Sequence, residues 1–306
     1  MLLLRKLCGV LTGLMLACAA HAGKLSIVID DFGYRPAQEN QVLQMPSAIS
    51  VAVLPDAPHA REMATKARQR GHEVLIHLPM APLSKQPLEK DTLRPDMSDA
   101  EIERIIRHAV ANVPGAVGLN NHMGSAMTSS LPGMQKVMRV LNHYNFYFLD
   151  SMTIGNSQST RAAAGTSVKV IKRRVFLDDT QNEADIRNQF TRAVRLAQRD
   201  GYAIAIGHPH PTTVNVLQQM LPTLPSDITL VRPSQLLNEA QRTGPLPQPA
   251  PPRNPFRGVK LCVVKQQPVP ASRALEVIAE SISGSRAMRY INTHFSGLTF
   301  SAPKTP

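Results

Sequence analysis

The stretch Leu25–Gly33, reading LSIVIDDFG, restricts the fold more than any other part of the sequence. Leu25, Ile27, Val28 and Ile29 form an apolar, largely β-branched run. Such a run suits a strand buried on both faces, as in a parallel sheet covered by helices. Two carboxylates, Asp30 and Asp31, then stand side by side, and Gly33 releases the chain into a turn. Successive strand residues point to opposite faces, so the two acids are expected to take separate roles, one on a cation and the other moving a proton. Aspartates at one strand end can simply cap a turn. Here, however, apolar runs also lead into His77, into Asn121 and His122, into Asp150 and into His208, and capping does not explain five such endings.

Further strands are expected at Ala48–Leu54, Val74–Leu78, Ala116–Leu119, Phe146–Leu149, Val168–Leu177, Ala203–Ile206 and Ile228–Val231, the sixth segment of the chain breaking at the basic run Lys172, Arg173 and Arg174. Amphipathic helices separate them. Asp56 is expected to cap a helix that ends near Arg70 before Gly71. Ser98 and Glu101 have capping-box spacing ahead of Ile102, Ile105, Ile106 and Ala109, and Thr180 and Glu183 repeat that spacing ahead of Ile186, Phe190, Ala193 and Ala197. Pro132 opens a helix with Met134, Val137, Met138 and Leu141 on one face. Strands alternating with helices imply right-handed parallel crossovers. The fold class expected is α/β, a distorted (β/α) barrel of about seven parallel strands with a Pro-rich C-terminal tail. An open doubly wound sheet is the alternative, although no strand end carries a dinucleotide fingerprint or a P-loop.

Charge separates the chain into three parts. Of the formal +12, Met1–Ala22 carries +2 and Gln241–Pro306 carries +7, leaving +3 on the 23–240 body. That balance, with no tryptophan and few aromatics, excludes the basic and stacking surface of a nucleic-acid binder. Residues 1–22 read as a signal peptide: Arg5 and Lys6, an apolar run from Leu7 to Ala17, and an A-x-A site ending at Ala22. Periplasmic or secreted location after cleavage near Ala22 follows, with lipidation at Cys18 as an alternative. Cys8 and Cys18 lie in that leader, so Cys262 is left without an intramolecular disulfide partner. Residues 241–306 form a basic Pro-rich linker and a short terminal segment, whose natural partner is an anionic envelope surface.

In a parallel barrel, functional groups gather at the C-terminal ends of the strands. Asp31 with His77 and His122 would make a three-ligand site that leaves a position open, as a catalytic zinc requires. No two histidines have helix-borne HExxH spacing, so these ligands must converge from separate strands. Asp30 suits a general base and His208 a general acid. Asn121, Ser125, Asp150 and His210 are candidates for binding or orienting substrate, with Asp178 beside them. Neither Ser125 nor Ser151 occupies a G-x-S-x-G elbow, which argues against a serine hydrolase.

IDDFG (29–33), HLPM (77–80), NHMGS (121–125), FLDS (148–151) and IGHP (206–209) together resemble the divergent polysaccharide deacetylase family, a branch of the NodB-homology carbohydrate esterases. The resemblance implies a distorted barrel of about seven strands. It also implies a divalent metal, zinc, held by one Asp and two His, and removal of acetyl groups from an amino sugar, so that an N-acetylated glycan is the expected substrate. By position, Asp31 resembles the metal ligand, Asp30 the base, His77 the first histidine of the usual H-x-x-x-H pair and His208 the acid. The chain departs from the better-known deacetylases in having Ala81 where the second histidine stands, which assigns the missing imidazole to His122. NNHMGS also replaces the usual Arg-x-Pro. These departures leave two further readings open: a non-catalytic glycan- or envelope-binding protein on the same barrel, and metal-dependent hydrolysis of another bond such as a phosphoester.

Overall fold

A computed structural model describes residues 22–240. The proposed leader and the basic Pro-rich segment, including Cys18 and Cys262, lie outside the described residues. Along the described chain come β1 (Gly23–Phe32), α1 (Pro36–Val42), β2 (Ser50–Val53), α2 (Ala60–Gln69), β3 (Val74–Met80), α3 (Asp99–Asn112), β4 (Gly118–Met123), α4 (Ser125–Ser129), α5 (Leu131–Tyr144), β5 (Tyr147–Asp150), α6 (Ser159–Ala162), β6 (Val170–Lys172), β7 (Val175–Phe176), α7 (Glu183–Asp200), β8 (Tyr202–Gly207), α8 (Pro211–Met220) and β9 (Ile228–Leu230). None of these helices is long and apolar enough to cross a membrane.

The sheet runs β6-β5-β4-β3-β2-β1-β8-β7, with β9 beside β1. Every strand pair is parallel. β1 is the hub: β8 pairs with it from Lys24 to Ile29, β2 takes Val28 to Phe32 and β9 takes Gly23 to Leu25. The expected break at the basic run falls in the gap between the two ends of the sheet. β6 and β7 lie at opposite ends of the strand order, yet only Arg173 and Arg174 separate them in the chain. The Arg173 amide donates to the Asp150 carbonyl at 2.9 Å and the Arg174 amide to the Ile204 carbonyl at 2.8 Å, so one kinked segment bridges β5 and β8.

Alternation along the strands divides the apolar side chains between two cores. Ile27, Ile29, Val51, Val53 and Ile76 pack with helix residues such as Met63, Ile106, Val137 and Phe190. Val28, Ala52, Leu75, Leu149, Ile204 and Ile206 pack with one another and with Val231 and Leu236, filling the barrel interior. Each fully buried Val, Leu or Ile side chain among these contributes about 1.5–3 kcal/mol of transfer free energy, and the filled interior leaves the strand ends as the place for chemistry.

Local signals were met where the cap lies next to its helix. Ser98 and Glu101 make both bonds of the capping box at α3, and Gly71 and Gly201 adopt positive φ after α2 and α7. Two caps differ from expectation. Asp56 does not cap α2, which starts after His59; its carboxylate instead pairs with His108 Nε2 at 2.9 Å, a partner 52 residues away. At α7 the cap is Asn182, whose side chain accepts from the amides of Ala184 and Asp185, while Thr180 bonds Asp185.

Candidate functional site

Asp30 and Asp31 lie near the C-terminal end of β1 and His122 near that of β4, His208 directly follows β8, and His77 sits at the middle of β3, which runs on to Met80. The β1–β2 register shifts between Ile29 and Phe32, and Asp31 takes a left-handed φ of 58°. This conformation costs a residue with a Cβ roughly 1–2 kcal/mol. It also cancels the alternation expected of the two acids. Asp30 Oδ2 lies 3.6 Å from His77 Nδ1, and Asp31 Oδ1 lies 3.2 Å from His77 Nε2, so the two carboxylates flank one imidazole.

Asn120 fixes the protonation pattern of that ring. Its amide nitrogen donates to Asp30 Oδ1 and Oδ2 at 2.8 and 3.0 Å, which turns its carbonyl oxygen to His77 Nδ1 at 2.8 Å. A carbonyl oxygen only accepts, so His77 carries its proton on Nδ1 and presents a lone pair at Nε2. Opposite that lone pair stand His122 Nδ1 at 3.1 Å and Asp31 Oδ1, itself 3.1 Å from His122 Nδ1.

These three atoms form a nearly equilateral triangle. Three ligands about 2.0–2.1 Å from a tetrahedral ion would be about 3.3 Å apart. Asp31 Oδ1 is buried, and although both imidazoles stand within 3.2 Å it has no hydrogen-bond partner of acceptable geometry. An orphaned carboxylate oxygen facing two imidazole nitrogens fits a divalent cation, and the mixed N and O donor set suits zinc. Burial opposes ionisation of Asp31, but the contacts from His122 and His77 outweigh it and hold its carboxyl well below the usual range. Burial raises the pKa of Asp30, although neighbouring His77 and His208 offset part of that rise. The pKa of His77 is raised as well: desolvation favours its neutral form, but Asp30 and Asp31 outweigh it.

His208 is set from behind. Its Nδ1 donates to Asp178 Oδ1 at 2.9 Å, leaving Nε2 on the side of Asp31, 3.9 Å from Oδ2. Burial works against the imidazolium, but Asp178, followed by Asp31 and Asp30, pushes its pKa up to about 9. The ring stacks on Phe176 at 5.4 Å and 21°, and the guanidinium of Arg173 covers that phenyl ring at 4.5 Å.

Asp31, His122 and His208 open into a cleft of about 340 Å³ whose wall includes Tyr34, Arg35, Glu89 and His210. His210 therefore stands in the wall, bonded to Arg35. Asn121, Ser125 and Asp150 are occupied elsewhere. Asn121 ties Met123 to Ser151, the Ser125 hydroxyl accepts from the Leu83 amide, and the Asp150 oxygens hold Met152, Ser157 and Ser159. Sequence reasoning missed Asn120, Arg35 and Glu39. Asn120 had a signal: once His122 is placed on a strand, the residue two before it shares its face. Glu39 is buried and its Oε1 accepts the amides of Gly33, Tyr34 and Arg35, a closure of the turn from within the next helix that no motif announces.

The sequence model of the divergent polysaccharide deacetylase family matches residues 27–237, and the chain belongs to that family. Uncharacterized protein YibQ of Escherichia coli K12 is 69% identical over 290 residues, covering 93% of this chain and 91% of that protein. An uncharacterized Haemophilus influenzae protein is 40% identical over 236 residues, 77% of this chain and 84% of its own. The crystal structure of an uncharacterized Agrobacterium tumefaciens C58 protein shares the fold, with a TM-score of 0.66 at 21% identity over 70% of this chain and 89% of that one.

Proposed function

We propose that the protein is an exported, metal-dependent hydrolase that removes N-acetyl groups from a cell-envelope glycan, peptidoglycan-type chains among them. The observation that carries this reading is the meeting of three ligand-type atoms from Asp31, His77 and His122 beside two groups able to handle protons, Asp30 and His208. Export rests on the leader pattern. A divalent cation, zinc on the donor set, would supply Lewis-acid polarisation of the acetyl carbonyl and of water when bound.

The chain's own residues handle the protons. Asp30 takes one from the attacking water, and Asn120 keeps its carboxylate oriented. His208, kept protonated near neutrality by Asp178, presents Nε2–H to the amide nitrogen. The C–N bond then breaks with that proton transferred, giving acetate and a free amino group. Tyr34 and Glu89, joined at 3.2 Å, line the side of the cleft where sugar hydroxyls would sit.

Acetate release by the zinc-loaded protein from chitooligosaccharides or murein fragments tests the proposal. Release that is lost in Asp30→Asn and His208→Ala supports it; no release from any N-acetylated glycan overturns it. A non-catalytic glycan-binding protein is the second reading, and the near-complete burial of Asp30, only 2% exposed, favours it. Glycan binding that persists in both variants without acetate release would select that reading.

A further inference from the structure

Arg35 stands in the wall of the same cleft as Asp31, His122 and His208, and it is held there from both ends. Its backbone amide donates to the buried Glu39 carboxylate at 2.6 Å, alongside the amides of Gly33 and Tyr34. Gly33 enters this turn at φ 115°, where a Cβ would also strike Ala57. At the far end, Arg35 Nη1 lies 2.7 Å from His210 Nδ1. A guanidinium only donates, so His210 accepts at Nδ1 and carries its proton on Nε2. Gln181 Nε2 lies 3.2 Å from that nitrogen, and a ring that donates there requires the Gln181 amide turned end for end, so that its oxygen accepts.

The partner of Arg35 is therefore a neutral ring. Among the described residues no carboxylate pairs with Arg35. A guanidinium has five N–H donors in a planar fork shaped to grip a carboxylate, and on this exposed residue of the cleft wall one bond to His210 leaves most of that fork without a side-chain partner among the described residues.

We infer that Arg35 is the recognition site for an anionic substituent of the ligand, a carboxylate carried by the sugar bearing the acetamido group or by its immediate neighbour. This assignment rests on the deacetylase reading for the identity of the ligand as a glycan. An acidic amino-sugar polymer then fits the cleft better than a neutral one. Glu89 in the same wall disfavours a second anion beside it, which restricts the carboxylate to the Arg35 side.

The test compares two oligosaccharides that differ at one group: a murein-derived disaccharide with a free lactyl carboxylate, and its methyl ester. Calorimetry with the zinc-loaded full chain is expected to show the acid bound about tenfold or more tightly than the ester, as a charge-assisted bidentate contact gives. Arg35→Gln is expected to bring the acid's affinity down to that of the ester, and Arg35→Lys to retain part of the preference. Melting curves of both variants establish that they fold. Equal binding of acid and ester by the wild type, or a preference that survives Arg35→Gln, overturns the assignment. Preference without acetate release would leave Arg35 assigned while removing the deacetylase reading. Acetate release without preference would do the reverse.

Discussion

Asp178 holds His208 at two points, accepting from the ring Nδ1 at 2.9 Å and from the backbone amide of the same residue at 2.6 Å. Thr213 donates to the second oxygen at 2.7 Å, so the carboxylate itself cannot swing away. One buried acid thus fixes the tautomer, the direction and the charge of the imidazole at the edge of the cleft.

Replacing Asp178 with Asn is expected to shift the pH behaviour of the protein. His208 has its pKa raised from 6.5 to about 9 in the folded chain. A histidine raised in this way adds stability that is fully present below its unfolded pKa and is lost as pH rises through the folded value. Stability of the metal-free wild type is therefore expected to fall between about pH 6.5 and 9, by on the order of 3 kcal/mol for a shift of that size, and Asp178→Asn should flatten this slope. Denaturant midpoints across that range measure it. For acetate release, the alkaline limb should move toward neutrality in Asp178→Asn, while an unchanged limb would remove His208 from the role of acid.

Asn120 joins Asp30 to His77, and Asn120→Leu would leave a buried carboxylate and a buried ring N–H without partners at once. Losing such partners costs about 1–3 kcal/mol for each group, so a fall of roughly 3 kcal/mol in unfolding free energy is expected. The same substitution frees the tautomer of His77, and loss of an outer partner of this kind lowers metal affinity about 10–100-fold. Calorimetric zinc titration of Asn120→Leu against wild type measures this. A drop in stability without a change in zinc affinity would show that Asn120 serves the core alone.

The pattern of strand ends was readable because it is local: an apolar run, then a polar residue, repeated along the chain. The convergence of Asp31, His77 and His122 follows from β4 and β3 being neighbours with Pro79 beside His122 and His77 beside Asn120, and adjacency of this kind is set by topology. The expected strand stopped at Leu119 because the polar residues that follow, Asn120 and Asn121, favour turns, yet β4 continues through Met123. The bulge at Asp31 left no mark in the sequence beyond Gly33, and it brings to one imidazole two acids that simple alternation would send to opposite faces. Caps followed the same division. Ser98 with Glu101 was legible because both partners are within one turn, whereas Asp56 was claimed by His108 from another helix.

The triangle of Asp31 Oδ1, His77 Nε2 and His122 Nδ1 makes metal removal a direct probe. A cation that binds only the folded chain stabilises it by about 2.7 kcal/mol at a concentration 100 times its Kd. Such a gain raises the melting temperature of a domain of this size by roughly 5–10 °C. Chelator treatment is expected to lower the melting temperature and zinc to restore it. In His122→Ala the zinc response should be lost, because two ligands remain where three are needed. Wild-type melting that ignores both chelator and zinc would exclude the cluster as a cation site.

The seam of the barrel is the most vulnerable part of the sheet. β6 and β7 contribute only five residues, paired to β5 and β8 and not to each other, and side chains span the gap between them. Arg173 donates to the carbonyls of Ser151 at 2.6 Å and Met152 at 2.9 Å, anchoring the β5 side. It also covers one contact surface of Phe176, which stacks against His208 on the β8 side. Phe176→Leu keeps an apolar side chain but removes both ring contacts, worth about 0.5–1.5 kcal/mol for the aromatic pair and about 0.5–1 kcal/mol or more for the cation over the ring. A loss of roughly 1–3 kcal/mol is expected, with Phe176→Tyr nearer to wild type. Because segments with few paired residues open first, amide exchange in Phe176→Leu should accelerate at residues 173–177 before it does in β1 or β3. The loosened ring should also raise KM and lower kcat for acetate release together, since His208 loses its backing. Uniform acceleration of exchange across the whole sheet would mean that the seam unfolds only with the barrel and that Phe176 acts as an ordinary core residue.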